Sequence, residues 1–109
     1  MMPTKYLVAT DVVLFSQDDA LEVLLIQRKN QPFQNAWALP GGFLDPEEDL
    51  CAGALRELHE ETGIKLMDAA QLGAYGAPHR DPRGRVISIA FYAQTDKKAV
   101  KPKAADDAK

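Results

Sequence analysis

The hydrophobic and polar positions along the chain divide it into strand-like and helix-like stretches. β-Branched and aromatic residues dominate residues 6–15 and 85–95, and this composition predicts a strand in each stretch. Residues 22–28 follow a polar turn and predict the second strand of a hairpin. Another strand is expected toward the end of residues 66–76. Strands on both sides of a helix predict an α/β fold with a mixed sheet.

A helix is predicted over residues 46–62. Asp45 is placed to cap its first turn, Pro46 suits the first helical position, and Glu48 completes a capping box. Gly63 is a typical C-terminal stop. Residues spaced three and four apart form an apolar stripe that predicts the buried face: Cys51, Ala54, Leu55 and Leu58.

A second stripe on the same helix is acidic. Glu57, Glu60 and Glu61 have the same spacing, so their carboxylates repel one another, and two of them lie in the last turn, where the helix dipole disfavours negative charge. A hard divalent cation such as Mg²⁺ would offset this cost, since it prefers oxygen ligands and leaves positions open for phosphates. The alternative is an acidic, solvated helix surface.

The charge of the chain is uneven. Its 109 residues have a net charge of −3, yet residues 45–61 contain seven acids and one arginine. A short basic patch follows at Arg80, Arg83 and Arg85. An acidic cluster near arginines suits a divalent cation together with a phosphorylated ligand, whereas the net charge argues against a general nucleic-acid binder.

Composition excludes several other classes. An apolar fraction of 46% is incompatible with wholesale disorder, and no apolar run approaches the ~18 residues of a membrane span. The N-terminus has no signal-peptide pattern, and a single cysteine, Cys51, agrees with a reducing compartment. We therefore expect a cytoplasmic protein that contacts neither membrane nor nucleic acid directly.

The segment from Gly42 to Ile64 resembles the Nudix box, G-x5-E-x7-R-E-U-x-E-E-x-G-U. All nine fixed positions match: Gly42, Glu48, Arg56, Glu57, Leu58, Glu60, Glu61, Gly63 and Ile64. Residues 37–42 are also similar to the usual lead-in of the family, and the resemblance extends over roughly residues 5–96. It identifies the chain as a member of the Nudix hydrolases.

The resemblance implies an α/β/α sandwich that hydrolyses a nucleoside diphosphate linked to another group, with Mg²⁺ or Mn²⁺ as cofactor. The catalytic residues that it implies are Glu48, Arg56, Glu57, Glu60 and Glu61. The last three would hold the metal together with the carbonyl of Gly41. Glu48 and Arg56 would tie the helix to the preceding loop.

A different segment of the sequence indicates the substrate. Residues 79–86, after Pro78, resemble ADP-ribose pyrophosphatases and related Nudix regulators of NAD metabolism. We therefore expect hydrolysis of ADP-ribose to AMP and ribose 5-phosphate. Two alternatives stay open: a pyrophosphohydrolase of oxidised nucleoside triphosphates, and an ADP-ribose-sensing module of a transcriptional regulator.

Four residues are candidates for substrate binding. Arg80 and Arg83 suit bidentate contacts to the diphosphate or the terminal ribose, and Arg28 is a candidate for the pyrophosphate. Trp37 is a candidate for stacking on adenine, although a tryptophan in a short apolar strand more often belongs to the core. For the arginines, the alternative is that Asp81 and Arg85 merely hold the turn.

The ends of the fold are expected to differ from the family pattern. Residues 1–96 are assigned to the Nudix domain and residues 97–109 to a polar tail. A Nudix fold normally continues into another strand and a C-terminal helix, so we expect a truncated form that lacks both. The resemblance also implies that a homodimer can form.

Overall fold

The computed structural model describes residues 5–96, in which a mixed β-sheet packs against a helix. The strands are β1 (Leu7–Gln17), β2 (Leu21–Val23), β3 (Ile26–Gln27), β4 (Trp37–Ala38), β5 (Gly41–Phe43), β6 (Ala70–Tyr75) and β7 (Val86–Gln94), and the helix is α1 (Leu50–Thr62). This arrangement confirms the α/β class. The strands predicted at both ends of the domain, β1 and β7, are present within two residues of their expected limits.

The main sheet has the order β2-β1-β7-β6, and β5 also pairs with β1. β1 and β7 are parallel, in a register that runs from Leu7 opposite Val86 to Phe15 opposite Gln94, and the other pairs are antiparallel. β3 and β4 form a separate two-stranded sheet. β1 is therefore the strand that joins the helix lead-in at β5 to the long strand β7.

The two faces of β1 have different neighbours, because successive side chains of a strand point to opposite sides. Val12 and Leu14 belong to a buried cluster with Ala54, Leu58 and Phe91. Full burial of a leucine such as Leu58 contributes about 1.5–3 kcal/mol, so this cluster anchors α1 on the sheet. The side chains on the opposite face of β1 do not belong to this cluster.

The predicted start of the helix is wrong. α1 begins at Leu50, after Asp49, and not at Pro46. The backbone N–H of Asp45 does donate to Glu48 Oε1 (3.0 Å), and Glu48 N–H donates to the Asp45 carbonyl (3.2 Å), but these bonds close a turn before the helix. The predicted C-terminal stop is confirmed, because Gly63 is left-handed (φ 78°) and donates to the His59 carbonyl.

The single strand predicted at residues 22–28 is divided in two. β2 pairs with β1, whereas β3 pairs with β4 in the second sheet. The chain changes partner between Val23 and Ile26, where Leu24 still donates its N–H to the Leu14 carbonyl. The hydrophobic pattern of residues 22–28 does not predict this change of partner strand, because the same apolar side chains can pack beside either strand.

The alternative of a core position for Trp37 does not hold, because this residue is 58% exposed on β4. The polar tail, and the strand and helix expected to be missing after β7, lie outside the described residues. Within residues 5–96, no helix has the length and apolar character needed to cross a bilayer.

Candidate functional site

Arg56 is the centre of the network that joins α1 to the loop before it. Its guanidinium donates to both oxygens of Glu48, from Nε at 2.7 Å and from Nη2 at 3.0 Å, so the predicted contact between these two residues is present. Nη2 also donates to the Phe43 carbonyl (3.2 Å). Paired hydrogen bonds of this kind fix the relative orientation of the two side chains, and they are stronger than hydrogen bonds between neutral groups. As a result, Arg56 holds the pKa of Glu48 at about 2.

The same guanidinium holds two of the predicted metal ligands. Nη1 of Arg56 donates to Glu57 at 2.7 Å and to Glu60 at 3.2 Å. Burial raises the pKa of Glu57, and the bond from Arg56 partly opposes that effect. Because Arg56 is positively charged and lies between these carboxylates, it reduces the repulsion that their spacing predicts.

Glu61 is held differently. It is 7% exposed, and Oε1 accepts a hydrogen bond from the backbone N–H of Gly41 at 2.7 Å. At the next position, a methyl group added to Gly42 would lie 2.7 Å from the carboxylate carbon of Glu57. Glycine at this position therefore lets the lead-in strand β5 approach the acidic side chains of α1.

These residues line a cavity of about 290 Å³, which we call the glutamate cavity. Its lining is Arg28, Gly41, Gly42, Glu57, Glu60, Glu61 and Arg83. A second cavity of about 250 Å³, the strand cavity, has Ala9, Asp11, Pro32, Phe33, Ala38, Leu39, Phe43, Arg80, Asp81 and Ser88 in its lining. Arg28, Gly41, Gly42 and Arg83 line both, so the two cavities form one groove.

The loop between β6 and β7 brings arginines to this groove. Arg83 forms a bidentate pair with Asp81, from Nε at 3.0 Å and from Nη2 at 2.8 Å, and its guanidinium lies 4.6 Å from the centre of the Phe43 ring. Arg83 therefore holds the pKa of Asp81 at about 2. Arg80 donates to Ser88 Oγ at 3.0 Å. Both arginines are thus fixed in place by neutral or acidic neighbours.

The alternative for this loop is correct in part. Asp81 does lock the turn, but its partner is Arg83 and not Arg85. Arg85 lies outside both cavity linings: it donates to the Gly76 carbonyl and lies over the Tyr6 ring. Arg83 both closes the turn and lines the groove, so the two interpretations do not exclude each other.

Asp11 also lines this groove, although the sequence did not predict it there. It lies on β1, on the face turned away from α1, and lines the strand cavity. Burial raises the pKa of its carboxyl, and Arg80 and Arg83 partly oppose that effect. Aspartate is rare within strands, so one acid inside the apolar residues 6–15 was a signal that could have found it.

The NUDIX domain model matches residues 5–109. The chain belongs to the NUDIX family. The match agrees with the geometry, because the fixed positions of the box are those that assemble Arg56, the glutamates and the close approach at Gly42. The fold is accordingly that of a NUDIX domain, as expected from the sequence.

Two curated relatives of this NUDIX domain are similar in sequence. The ADP-ribose pyrophosphatase of Methanocaldococcus jannaschii is 48% identical over 88 residues, which cover 81% of this chain and 51% of that protein. The ADPR responsive transcriptional repressor of Acinetobacter baylyi is 44% identical over 96 residues, 85% of this chain and 38% of the repressor. The chain therefore spans about half or less of the length of these relatives.

A solved structure is similar in fold as well. The NUDIX domain of Shewanella oneidensis NrtR, crystallised with ADP ribose, is 36% identical and superimposes with a TM-score of 0.84. The alignment covers 96% of this chain and 70% of that one. The described strands and helix thus have counterparts in a NUDIX domain that binds ADP ribose.

The donor set of the NUDIX domain suits a hard divalent cation. Glu57, Glu60, Glu61 and the backbone of Gly41 line one cavity with oxygen donors, which are the ligands that Mg²⁺ prefers. Within residues 5–96, no three His, Cys, Asp or Glu side chains are grouped as a formed metal site. Arg56 and the Gly41 N–H each bind one oxygen of these carboxylates, which leaves further acceptor positions on each of them.

The predicted substrate residues are not equally close to the groove. Arg28 lines both cavities, and its Nε donates to the Pro32 carbonyl at 2.7 Å, which fixes its direction. Arg80 and Arg83 also line the groove. Trp37 is absent from the residues that line either cavity, so the structure does not place it with the other three.

Proposed function

We propose that this NUDIX domain is part of a hydrolase that cleaves the pyrophosphate bond of ADP-ribose to AMP and ribose 5-phosphate. One observation supports the proposal most directly. The three glutamates of α1 line the same cavity as Arg28 and Arg83. A diphosphate with its bound cation needs both kinds of neighbour, because carboxylates bind the cation and guanidinium groups bind phosphate oxygens in pairs.

The residues have different roles in this proposal. Glu57, Glu60, Glu61 and the Gly41 carbonyl hold Mg²⁺ or Mn²⁺. When bound, such an ion neutralises phosphate charge and lowers the pKa of a water molecule. Arg28, Arg80 and Arg83 orient the diphosphate and the attached sugar, and Arg56 keeps the glutamates in position. The oxygen of water attacks one phosphorus, the bond between that phosphorus and the bridging oxygen breaks, and a proton of the water is released to solvent, so that each product leaves with one phosphate.

The choice of ADP-ribose is supported by similarity. The M. jannaschii relative is named as an ADP-ribose pyrophosphatase, and the S. oneidensis domain was crystallised with ADP ribose. The strand cavity also extends the groove beyond the glutamates, which provides space for a group attached to the diphosphate. Together these observations favour a diphosphate with a substituent on each side.

A panel of substrates tests the proposal. We expect turnover of ADP-ribose with Mg²⁺ at a kcat/KM at least about tenfold above that of dinucleotides and of nucleoside triphosphates, including an oxidised one. Products should be AMP and ribose 5-phosphate, measured by chromatography. A preference for an oxidised nucleoside triphosphate would contradict the ADP-ribose assignment and favour the alternative of a nucleotide-pool hydrolase.

A second candidate is an ADP-ribose sensor. It is favoured by the similarity to the repressor of A. baylyi, which is named as responsive to ADPR. Glu60→Gln separates the two functions, because it removes one carboxylate charge from the exposed end of the acidic stripe. We expect kcat to fall on the order of a hundredfold or more in a hydrolase, with ADP-ribose still bound. Glu47→Gln, at an exposed position before α1, is the matched control.

A sensor gives the opposite result. Glu60→Gln would then leave both ADP-ribose affinity and the negligible turnover of the unmodified chain unchanged. We also propose that the protein is cytoplasmic and that it forms a homodimer. Sedimentation of the chain at several concentrations tests the dimer, and a single monomeric species at every concentration would contradict it.

A further inference from the structure

Asp11 has a place in the groove that the family motif does not explain. It lies on β1, about 30 residues before the segment that matches the Nudix box. Asp11 lines the strand cavity together with Arg80 and Ser88. A methyl group added at Gly41 would lie 2.6 Å from Asp11 Oδ1. The carboxylate is therefore adjacent to the strand that reaches the glutamates, at the point where the two cavities join.

The carboxylate of Asp11 makes no hydrogen bond to any of residues 5–96. Arg80 and Arg83 are close enough to stabilise its charge, but each donates its hydrogen bonds elsewhere, to Ser88 and to Asp81 respectively. Buried polar groups normally have hydrogen-bond partners, and a half-buried carboxylate without one has unused acceptor capacity. A ligand with hydroxyl donors would supply those bonds.

We propose that Asp11 binds the hydroxyl groups of a ribose in the nucleotide ligand. A carboxylate has two acceptor oxygens and so accepts from two neighbouring hydroxyls, and charge-assisted bonds of this kind are stronger than neutral ones. The arginines of the same cavity would meanwhile contact the adjoining phosphates. This inference rests on the proposed nucleotide ligand but not on its hydrolysis.

A purely structural role for Asp11 makes a different prediction. As a counter-ion of Arg80 and Arg83, Asp11 would stabilise the loop before β7, and its loss would weaken every ligand equally. A ribose-binding role weakens only ligands that have the hydroxyls. The ratio of affinities between matched ligands therefore separates the two roles, whereas an overall loss of affinity does not.

The experiment uses calorimetric titration of the whole chain and its Asp11→Asn variant without divalent cation. The ligands are ADP-ribose, ADP and 2′,3′-dideoxy-ADP, so that one comparison isolates the terminal ribose and the other isolates the ribose of the nucleoside. Asp19→Asn, in the exposed turn after β1, makes the same change in net charge and is the control. Asp11→Ser replaces Asn if a melting curve shows that the Asn variant is unfolded.

We expect Asp11→Asn to reduce at least one of the two affinity ratios by about tenfold, while Asp19→Asn changes neither. A loss in the first ratio assigns Asp11 to the terminal ribose, and a loss in the second assigns it to the ribose of the nucleoside. Two unchanged ratios would overturn the proposal, even if all affinities fall. Absence of ADP-ribose turnover in the unmodified chain would instead refute the hydrolase function and leave these ratios as a valid test.

Discussion

In both the acidic cluster of α1 and the basic loop of residues 80–85, like charges lie next to one side chain of the opposite charge. In the acidic cluster, one arginine, Arg56, binds Glu48, Glu57 and Glu60. In the basic loop, one acid, Asp81, binds Arg83. Arg56 therefore holds three carboxylates, whereas Asp81 holds a single guanidinium, that of Arg83, beside the same groove.

The contacts of Arg56 and those of Asp81 differ in the distance along the chain that they span. Arg56 joins α1 to residues 8 and 13 positions earlier in the chain, including the carbonyl of Phe43, so its contacts depend on the tertiary fold. Asp81 and Arg83 are two positions apart and close a turn. Loss of Arg56 should therefore affect both stability and catalysis, whereas loss of the Arg83 contact should affect only the ligand.

The largest effect is expected from Arg56→Lys. A lysine has one compact charge and cannot bind Glu48 through two bonds while also binding Glu57. We expect a kcat/KM lower on the order of a hundredfold for ADP-ribose, because the carboxylates lose their position, together with a Tm several degrees lower. Kinetic assays and thermal melting measure the two effects.

Arg85→Lys is the matched control for Arg56→Lys. Arg85 is exposed, contacts the Gly76 carbonyl and lines neither cavity of the groove. We expect its kcat/KM and Tm to stay close to those of the unmodified chain. Equal losses in the two variants would show that the network around Arg56 has no special role.

A smaller effect is expected from Arg83→Lys. The change keeps the charge in the groove but removes the bidentate contact to Asp81 and the planar group above the Phe43 ring. We expect KM for ADP-ribose to rise about tenfold, with kcat and Tm little changed. A Tm as low as that of Arg56→Lys would contradict the distinction between a local and a long-range contact.

The smallest effect concerns acid stability. The pKa values of Glu48 and Asp81 are both lowered to about 2 by their arginines, from ordinary values of 4.5 and 3.8. Since a lowered pKa in the folded state stabilises the fold above the unfolded value, this contribution is complete above about pH 4.5 and is lost as the pH falls toward 2. Glu48→Gln should flatten the dependence of Tm on pH in this range.

Asp81→Asn provides the comparison for the acid experiment. It should flatten the same dependence, since Asp81 also titrates near pH 2 in the folded state. The double variant should show both changes, because the two residues have separate partners. An unchanged slope in Glu48→Gln would show that Arg56 does not hold the charge of Glu48 in solution.

Local patterns predicted the regular parts of the fold. β1 and β7 were evident because β-branched and aromatic residues fill continuous stretches, and the end of α1 was evident because Gly63 adopts the left-handed conformation that stops helices. The start of α1 was not, because the residues of a capping box also form an isolated turn. Arg56 binds Glu48 from within the helix, and this tertiary contact selects the turn.

The sequence alone determined that Glu57, Glu60 and Glu61 lie on one helical stripe with Arg56 beside them, since the spacing of a helix is fixed. Only the tertiary structure decided which side chains share the groove. It placed Asp11 and Arg83 there and left Trp37 exposed outside it. The physical reason is that residues far apart in the chain meet through strand register and sheet order, which no local pattern of hydrophobicity or charge specifies.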